Sequence, residues 1–173
     1  DSWLDADQPE TDTPPFALDY QERESTGWAA QFEAAVEVLK VNKNYRLKGN
    51  VLTVHYQFSG EPRGWFGTEI NIAMPSCDGS AGRYEFEGKI PGGFGQVFET
   101  ESLQVITLAD DVLGGSVTLC ASQPVQLHAA PHFSVSQSEA GFEKIMQAVT
   151  LKLAWPISEH KREMMLSLEI KRT

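Results

Sequence analysis

Apolar and polar residues alternate strictly over the stretch that ends at Trp155-Pro156, and this pattern restricts the fold more than any other feature. The apolar positions are Val149, Leu151, Leu153 and Trp155, and Thr150, Lys152 and Ala154 lie between them. A period of two is the signature of a half-buried β-strand. Pro156 ends the strand, because proline has no N–H to donate to a ladder and keeps the preceding residue extended.

The same alternation recurs along most of the chain. Further strands are predicted at Val51–Phe58, Phe66–Met74, Arg83–Ile90, Ser102–Ala109, Ser116–Ser122, Val125–Ala130, Phe133–Ser138 and Met164–Ile170. Turn residues (Gly, Pro, Asp) separate them, as between Lys48 and Val51, where Gly49-Asn50 suits a tight hairpin. Many short strands with such turns predict an all-β fold, an antiparallel β-sandwich of about ten strands.

One segment fits two patterns. Trp28, Phe32, Val36 and Leu39 lie at helical spacing, and the alanine pairs between them favour a helix by propensity. We predict a strand from about Val36 onward, for the reason given below with the family resemblance, and leave residues 28–35 open.

Composition and charge restrict the class of protein. The chain has 173 residues, 41% hydrophobic and 22% charged, which suits one globular domain. The formal net charge of −10 disfavours nucleic acid and anionic membranes, both of which attract clustered Lys and Arg. No apolar run approaches the ~20 residues that cross a bilayer. We therefore predict neither a nucleic-acid nor a membrane partner.

The acidic residues concentrate at the N-terminus. Asp1, Asp5, Asp7, Glu10 and Asp12 precede Pro14-Pro15. This composition predicts an acidic, flexible arm over residues 1–27 and a single β-sandwich domain over residues 28–173. Since the chain starts at Asp1 without methionine, we expect a processed product or a piece of a longer polypeptide.

Metal and cofactor signatures are missing from the sequence. Cys77 and Cys120 have neither metal spacing nor a disulfide framework, which favours a cytoplasmic location. His128 and His132 are four residues apart, but the Ala-Ala-Pro between them excludes a regular helix, so we interpret the pair as structural. We predict no metal and no cofactor.

Four phrases of the sequence resemble one family. They are the run Ser136–Ala148 with the following Trp155-Pro156-Ile157, the hairpin Asn44–Tyr56, the strand Phe66–Ile72 and the turn Asp110–Gly115. Taken in chain order, they resemble the C-terminal β-sandwich domain of family-57 glycoside hydrolases, the amylases and 4-α-glucanotransferases. The resemblance covers about Leu39 to Ile170 and implies a galactose-mutarotase-like sandwich. It also implies that roughly Val36–Leu47 is a long strand paired with Val51–Phe58.

The resemblance implies a non-catalytic role. Retaining enzymes of this family use a glutamate nucleophile and an aspartate acid/base, and in the family both lie in an N-terminal barrel. The barrel of the same polypeptide is therefore the expected partner, and an α-glucan is a further one. Glu139 and Glu143 are the tempting carboxylates here, but we interpret them as groups that tie down the loop around Gly141.

Strand geometry suggests a candidate ligand-binding patch. If Val51–Phe58 and Phe66–Met74 are neighbours, His55, Gln57, Glu69 and Asn71 lie opposite the apolar stripes. Planar hydrogen-bonding groups suit sugar hydroxyls, and Trp65 is a candidate ring for a pyranose face. The same face suits a contact with the barrel, or plain solvent.

Two alternative functions remain. A mutarotase or epimerase needs a histidine acid and a glutamate base at one anomeric centre, and His55 with Glu69, or His132 with Glu139, are the candidate pairs. This alternative rests on the analogy of fold alone. A free-standing carbohydrate-binding module needs a row of exposed aromatic rings, and the four tryptophans do not form one in the sequence.

Overall fold

The computed structural model describes residues 2–5, 8–12, 15–23, 27–74, 76, 80–138 and 141–172, and the side chains from residue 15 onward. These residues form thirteen strands and no helix. The strands are β1 (Ser2–Asp5), β2 (Gln8–Asp12), β3 (Ala17–Glu22), β4 (Gly27–Val36), β5 (Leu39–Lys48), β6 (Val51–Gly60), β7 (Trp65–Ile72), β8 (Gly82–Phe86), β9 (Lys89–Gly93), β10 (Phe98–Asp110), β11 (Gly115–Ser138), β12 (Gly141–Pro156) and β13 (Glu163–Arg172). The fold is all-β, as predicted.

The long strand β11 joins the two layers of the sandwich. Its first part pairs with β13 as far as Ala121, and its second part pairs with β12 from Gln126 onward. β10 follows the other edge of both parts, with irregular register between Thr100 and Val105. A first layer, in the order β2-β1-β7-β12, therefore continues from one half of β11, and a second layer, β13-β6-β5-β4-β3, continues from the other half.

The two layers meet through a cluster of aromatic rings. Tyr56 and Phe58 of β6 face Phe66 of β7 and Trp155 of β12. The centroid of the Tyr56 ring lies 5.4 Å from the centroid of Phe66 and 5.4 Å from that of Trp155, which is the spacing of favourable aromatic pairs. The Tyr56 hydroxyl donates a hydrogen bond to Thr68 Oγ1 across the layers at 3.1 Å. Burial of this hydroxyl raises the pKa of Tyr56.

The alternation in the sequence identified the core faces correctly. Val149, Leu151, Leu153 and Trp155 are all buried, as are Met164 and Leu166 of β13. Several strand boundaries differ from the prediction, and in two places the number of strands differs as well. Residues 83–90 divide at the turn Glu87-Gly88 into β8 and β9, and the three strands predicted between residues 116 and 138 are one continuous strand.

The segment with helical spacing is a strand. β4 covers Gly27–Val36, a turn follows at Glu37-Val38, and β5 pairs with β6 along its whole length. The strand forms because its even positions are also all apolar, so the small buried Ala30 and Ala34 lie between larger side chains on the inner face. Long-range pairing outweighs the helical propensity of the alanines.

The first 27 residues contribute strands as well. β1 pairs with β7 and with β2, while β3 pairs with β4 at the far edge of the second layer. The predicted flexibility of this acidic segment concerns its motion in solution and stays a prediction.

Asp110 fixes the turn between β10 and β11. Its Oδ1 accepts hydrogen bonds from Ser76 Oγ at 2.6 Å and from the N–H groups of Val112 and Leu113, and its Oδ2 accepts the Ser76 N–H. The carboxylate is 1% exposed. Burial disfavours its charged form, but the hydrogen bonds from Ser76, Leu113 and Val112 outweigh burial and hold the pKa of Asp110 below its ordinary value.

Replacement of this carboxylate is expected to destabilise the fold in a pH-dependent manner. Asp110→Asn should lower the free energy of unfolding by about 1–3 kcal/mol at pH 7, because an amide N–H₂ then faces the Ser76 N–H. A depressed pKa stabilises the folded state above the unfolded-state pKa, about 3.9, and this stabilisation is lost as pH falls through the folded-state pKa. The difference between the two proteins should therefore shrink below about pH 4, and urea unfolding at several pH values measures it.

The matched control is Asp111→Asn, since Asp111 is exposed and pairs with Arg83 at 2.9 Å. An exposed ion pair contributes less than about 1 kcal/mol. A stability difference for Asp110→Asn that stays constant from pH 7 to pH 3 would contradict the assignment.

Truncation of Trp155 tests the assignment of the core. Trp155→Ala is expected to cost about 3–5 kcal/mol, because the side chain is fully buried between the layers. Val112→Ala, at a site that is 73% exposed, should cost less than about 0.5 kcal/mol. Urea midpoints of both variants measure the difference, and equal shifts would show that Trp155 is not in the core.

Candidate functional site

The predicted polar patch is divided between two surfaces. β6 and β7 are not neighbours, because β6 pairs with β5 and β13, whereas β7 pairs with β12 and β1. Their apolar faces meet across the core, as the contact between Tyr56 and Phe66 shows. The outer faces therefore point in opposite directions. The premise that the two strands lie side by side is wrong, because alternation identifies the face of a strand but not its partner.

His55 and Gln57 lie on the outer surface of the second layer. His55 Nε2 is 3.3 Å from Glu163 Oε2, and Gln57 Nε2 donates to Glu163 Oε1 at 3.5 Å. Asn44 of β5 reaches the Gln57 amide oxygen at 3.4 Å. These side chains form one exposed polar group across three strands.

Trp65, Glu69 and Asn71 lie on the outer surface of the first layer. Asn71 Nδ2 donates to Glu69 Oε1 at 2.9 Å, and Lys152 Nζ of β12 lies 4.0 Å from Glu69 Oε2. The hydroxyl of Thr150 donates to the Asn71 amide oxygen. Ligand contact by either surface stays a prediction, but one ligand ring cannot lie between His55 and Glu69.

The candidate mutarotase pairs are not assembled by the described residues. The carboxylate partner of His55 is Glu163, on the surface opposite that of Glu69. His132 is exposed, and Glu139 lies outside the described residues. His128 contacts Glu99 on the surface, at 2.5 Å between Nδ1 and Oε1. Within the described part of the chain, no group of three or more His, Cys, Asp or Glu side chains has the geometry of a metal site.

A groove on the inner face of the second layer was missed by the sequence analysis. It has a volume of about 430 Å³ and is lined by Phe16, Trp28, Phe32, Lys43, Tyr45 and Leu52. The register places Phe32 opposite Lys43, and Tyr45 opposite Val54, so these side chains share the face that carries the core. All six lining residues are half-buried.

Lys43 is held among the rings of this aromatic groove. Its Nζ lies 4.2 Å from the centroid of the Phe16 ring and 5.5 Å from that of Tyr45, both within cation–π range. Phe32 and Tyr45 contact each other edge to face at 5.7 Å. The signal in the sequence was the alternation of Lys43, Tyr45 and Leu47 in phase with the core residue Val41, which becomes informative only once β4 is recognised as a strand.

A second unusual surface is the two-stranded ribbon formed by residues 131–138 and 141–148. Beyond Ala129 of β11 and Val149 of β12, no third strand of the described residues pairs with it. The register places Phe133, Val135, Phe142, Lys144 and Met146 on one face. Val135 is 70% exposed and Phe142 is 79% exposed, while Lys144 Nζ lies 4.0 Å above the Phe133 ring.

Of the two carboxylates singled out in the sequence, the structure describes one. Glu143 is exposed on the ribbon face opposite the apolar one, whereas Glu139 lies outside the described residues, so their role at the loop around Gly141 stays a prediction. Gly141 has a φ of 123°, a conformation that favours glycine, and it lies at the ribbon's tip.

Among the described residues, no helix is long and apolar enough to span a membrane.

One family model matches most of the chain. The family model for the alpha-amylase/4-alpha-glucanotransferase C-terminal domain matches residues 7–168. A search of curated proteins returned no match.

Three solved structures are similar in fold. The 4-alpha-glucanotransferase from Thermococcus litoralis matches 92% of this chain at 20% identity, with a TM-score of 0.55. HI1317 matches 90% at 10% identity, with a TM-score of 0.65, and heparinase III matches 99% at 11% identity, with a TM-score of 0.57. The match spans 22% of the glucanotransferase, 65% of HI1317 and 23% of heparinase III.

Proposed function

Because the chain belongs to the alpha-amylase/4-alpha-glucanotransferase C-terminal domain family, we propose that it is a non-catalytic domain of a family-57-type enzyme. Its role is to brace the N-terminal catalytic barrel of the same polypeptide, and contact with the α-glucan is a secondary role. The glucanotransferase it resembles is a much longer chain, of which the match spans 22%. That length supports a catalytic domain as the partner.

The observation that carries this proposal is the apolar face of the ribbon. Phe133, Val135 and Phe142 are exposed on two strands that no third strand of the described residues supports. Burial of such side chains contributes about 25 cal/mol per Å² of apolar surface removed from water. A contiguous apolar face on a projecting element is typical of a protein–protein contact. Covalent linkage to the barrel keeps this partner at high effective concentration.

The absence of catalysis is supported by the one buried carboxylate among the described side chains. Asp110 is buried, but its pKa is lowered, and its four hydrogen bonds hold the turn at Val112-Leu113 and tie it to Ser76. The acid of a glycosidase needs a raised pKa and a second carboxylate about 5–9.5 Å away. Exposed acids such as Glu163 and Glu99 instead pair with histidines.

The bracing role predicts a stability effect that depends on the rest of the polypeptide. In the polypeptide encoded by the gene that carries this chain, Val135→Ser combined with Phe142→Ser should lower the melting temperature by several degrees. A loss of 1 kcal/mol corresponds to about 2–4 °C for a domain of this size. In the isolated chain the same pair should change the melting temperature little, because both side chains are exposed there.

The matched control changes two exposed apolar residues at another turn, Val112→Ser with Leu113→Ser. This control should leave both proteins unchanged. Equal effects of the two double variants in the full polypeptide would contradict docking through the ribbon, as would a gene that encodes no catalytic domain.

The chain alone is expected to show no hydrolysis of maltooligosaccharides or starch. The physical reason is that the two carboxylates lining one described pocket, Glu159 and Glu163, are both exposed, and Glu163 contacts His55 and Gln57. Reducing-sugar release measured against a buffer blank tests this expectation. Turnover above the blank that is abolished by Glu143→Gln or Glu139→Gln would show that the chain is catalytic.

A further inference from the structure

The aromatic groove is a concave, largely apolar site that the described side chains leave open. Phe16, Trp28, Phe32 and Tyr45 present half-buried rings, and the first layer does not cover them as it covers Tyr56 and Phe58. Its volume of about 430 Å³ lies in the range of about 300–1,000 Å³ that is typical of small-molecule sites. Rings that already pack against each other lose little freedom when a ligand binds.

We propose that this groove binds the pyranose rings of an α-glucan, with Trp28 and Tyr45 as stacking surfaces and Lys43 as a hydrogen-bond donor. The inference rests on the proposed function, because that function supplies the glucan as the available ligand. The proposed glucan contact lies on the inner face of the second layer. His55 and Glu69, in contrast, lie on the outer faces of the two layers.

The chemistry of the lining selects an amphipathic ligand. A pyranose has an apolar C–H face that packs on an aromatic ring and a rim of hydroxyls that hydrogen-bond. Lys43 Nζ lies among the rings at 4.2–5.9 Å from three centroids, so a ligand that enters the groove meets an ammonium group as well as apolar carbon. A purely apolar peptide segment would place carbon against that ammonium and offer it no hydrogen-bond acceptor.

Net charge decides against an anionic ligand. A single ammonium group in the groove attracts anions locally, but the chain carries a formal net charge of −10, which repels them at longer range. A neutral polyhydroxylated ligand has no such penalty. The groove is also open on one side, as binding of an internal segment of a polymer requires, rather than a closed cavity for a single sugar.

The test is a titration of the chain with maltoheptaose, followed by NMR amide shifts and tryptophan fluorescence. We expect saturable binding with a Kd of about a millimolar, with the largest shifts in β4 and β5. Trp28→Leu should raise the Kd roughly tenfold, because leucine keeps the groove apolar but removes the flat ring. Lys43→Met, which keeps the stem and removes the charge, should raise it about threefold.

The matched control is Phe98→Leu, since Phe98 is also a half-buried aromatic residue but lies on β10, outside the groove. It should leave the Kd unchanged, and the urea midpoints of all three variants report whether each is folded. No saturable binding, an equal effect of Phe98→Leu, or tighter binding of glucose 1-phosphate than of maltoheptaose would each overturn the assignment. A failure of glucan binding is distinguishable from a failure of docking to the barrel. The first test changes Trp28 and Lys43 on the inner face of the second layer, whereas the second changes residues of the ribbon.

Discussion

The aromatic contact between Tyr56, Phe66 and Trp155 is the interaction on which the rest of this structure depends. It joins two layers that share only one pair of bordering strands, β10 and β11, and it brings β12 against the consecutive strands β6 and β7. Each ring is at most 2% exposed, so the contact combines burial of large apolar side chains with an edge-to-face pair between Tyr56 and Trp155. Without this contact, the layers that continue from the two halves of β11 would lose the large buried side chains that hold them face to face.

This layering decides what the surfaces can do. Because the apolar faces of β6 and β7 are turned toward each other, His55 and Glu69 are turned apart, and His55 pairs with Glu163 instead. The second layer has more strands beyond β11 than the first, and the aromatic groove lies on its inner face toward β4. The ribbon lies where β11 and β12 extend past their neighbours. The aromatic groove is thus a consequence of layers with unequal numbers of strands, and the ribbon is a consequence of strands with unequal lengths.

The sequence predicted the fold class well and the pairing of the strands that carry the polar patch poorly, for one physical reason. Alternation is a local property, so it identified the buried faces of β12 and β13 and the hairpin of β5 and β6 joined by Gly49-Asn50. Which strands lie side by side is set by contacts between residues a hundred positions apart, such as Met164 beside Tyr56. The same limit hid the groove, because Trp28 and Lys43 come together only through the register of β4 with β5. The spacing of Trp28 and Phe32 suits both a helix and a strand, and tertiary pairing decides between them.

The most direct test of the layered arrangement is the pattern of nuclear Overhauser effects between side chains in the isolated chain. The arrangement predicts ring-to-ring cross-peaks from Tyr56 to Phe66 and to Trp155, whose centroids lie 5.4 Å away. It also predicts backbone cross-peaks between β6 and β13. Backbone cross-peaks between β6 and β7, with none between those rings, would place the two strands side by side in one sheet. That result would contradict the separation of the outer faces and everything argued from it.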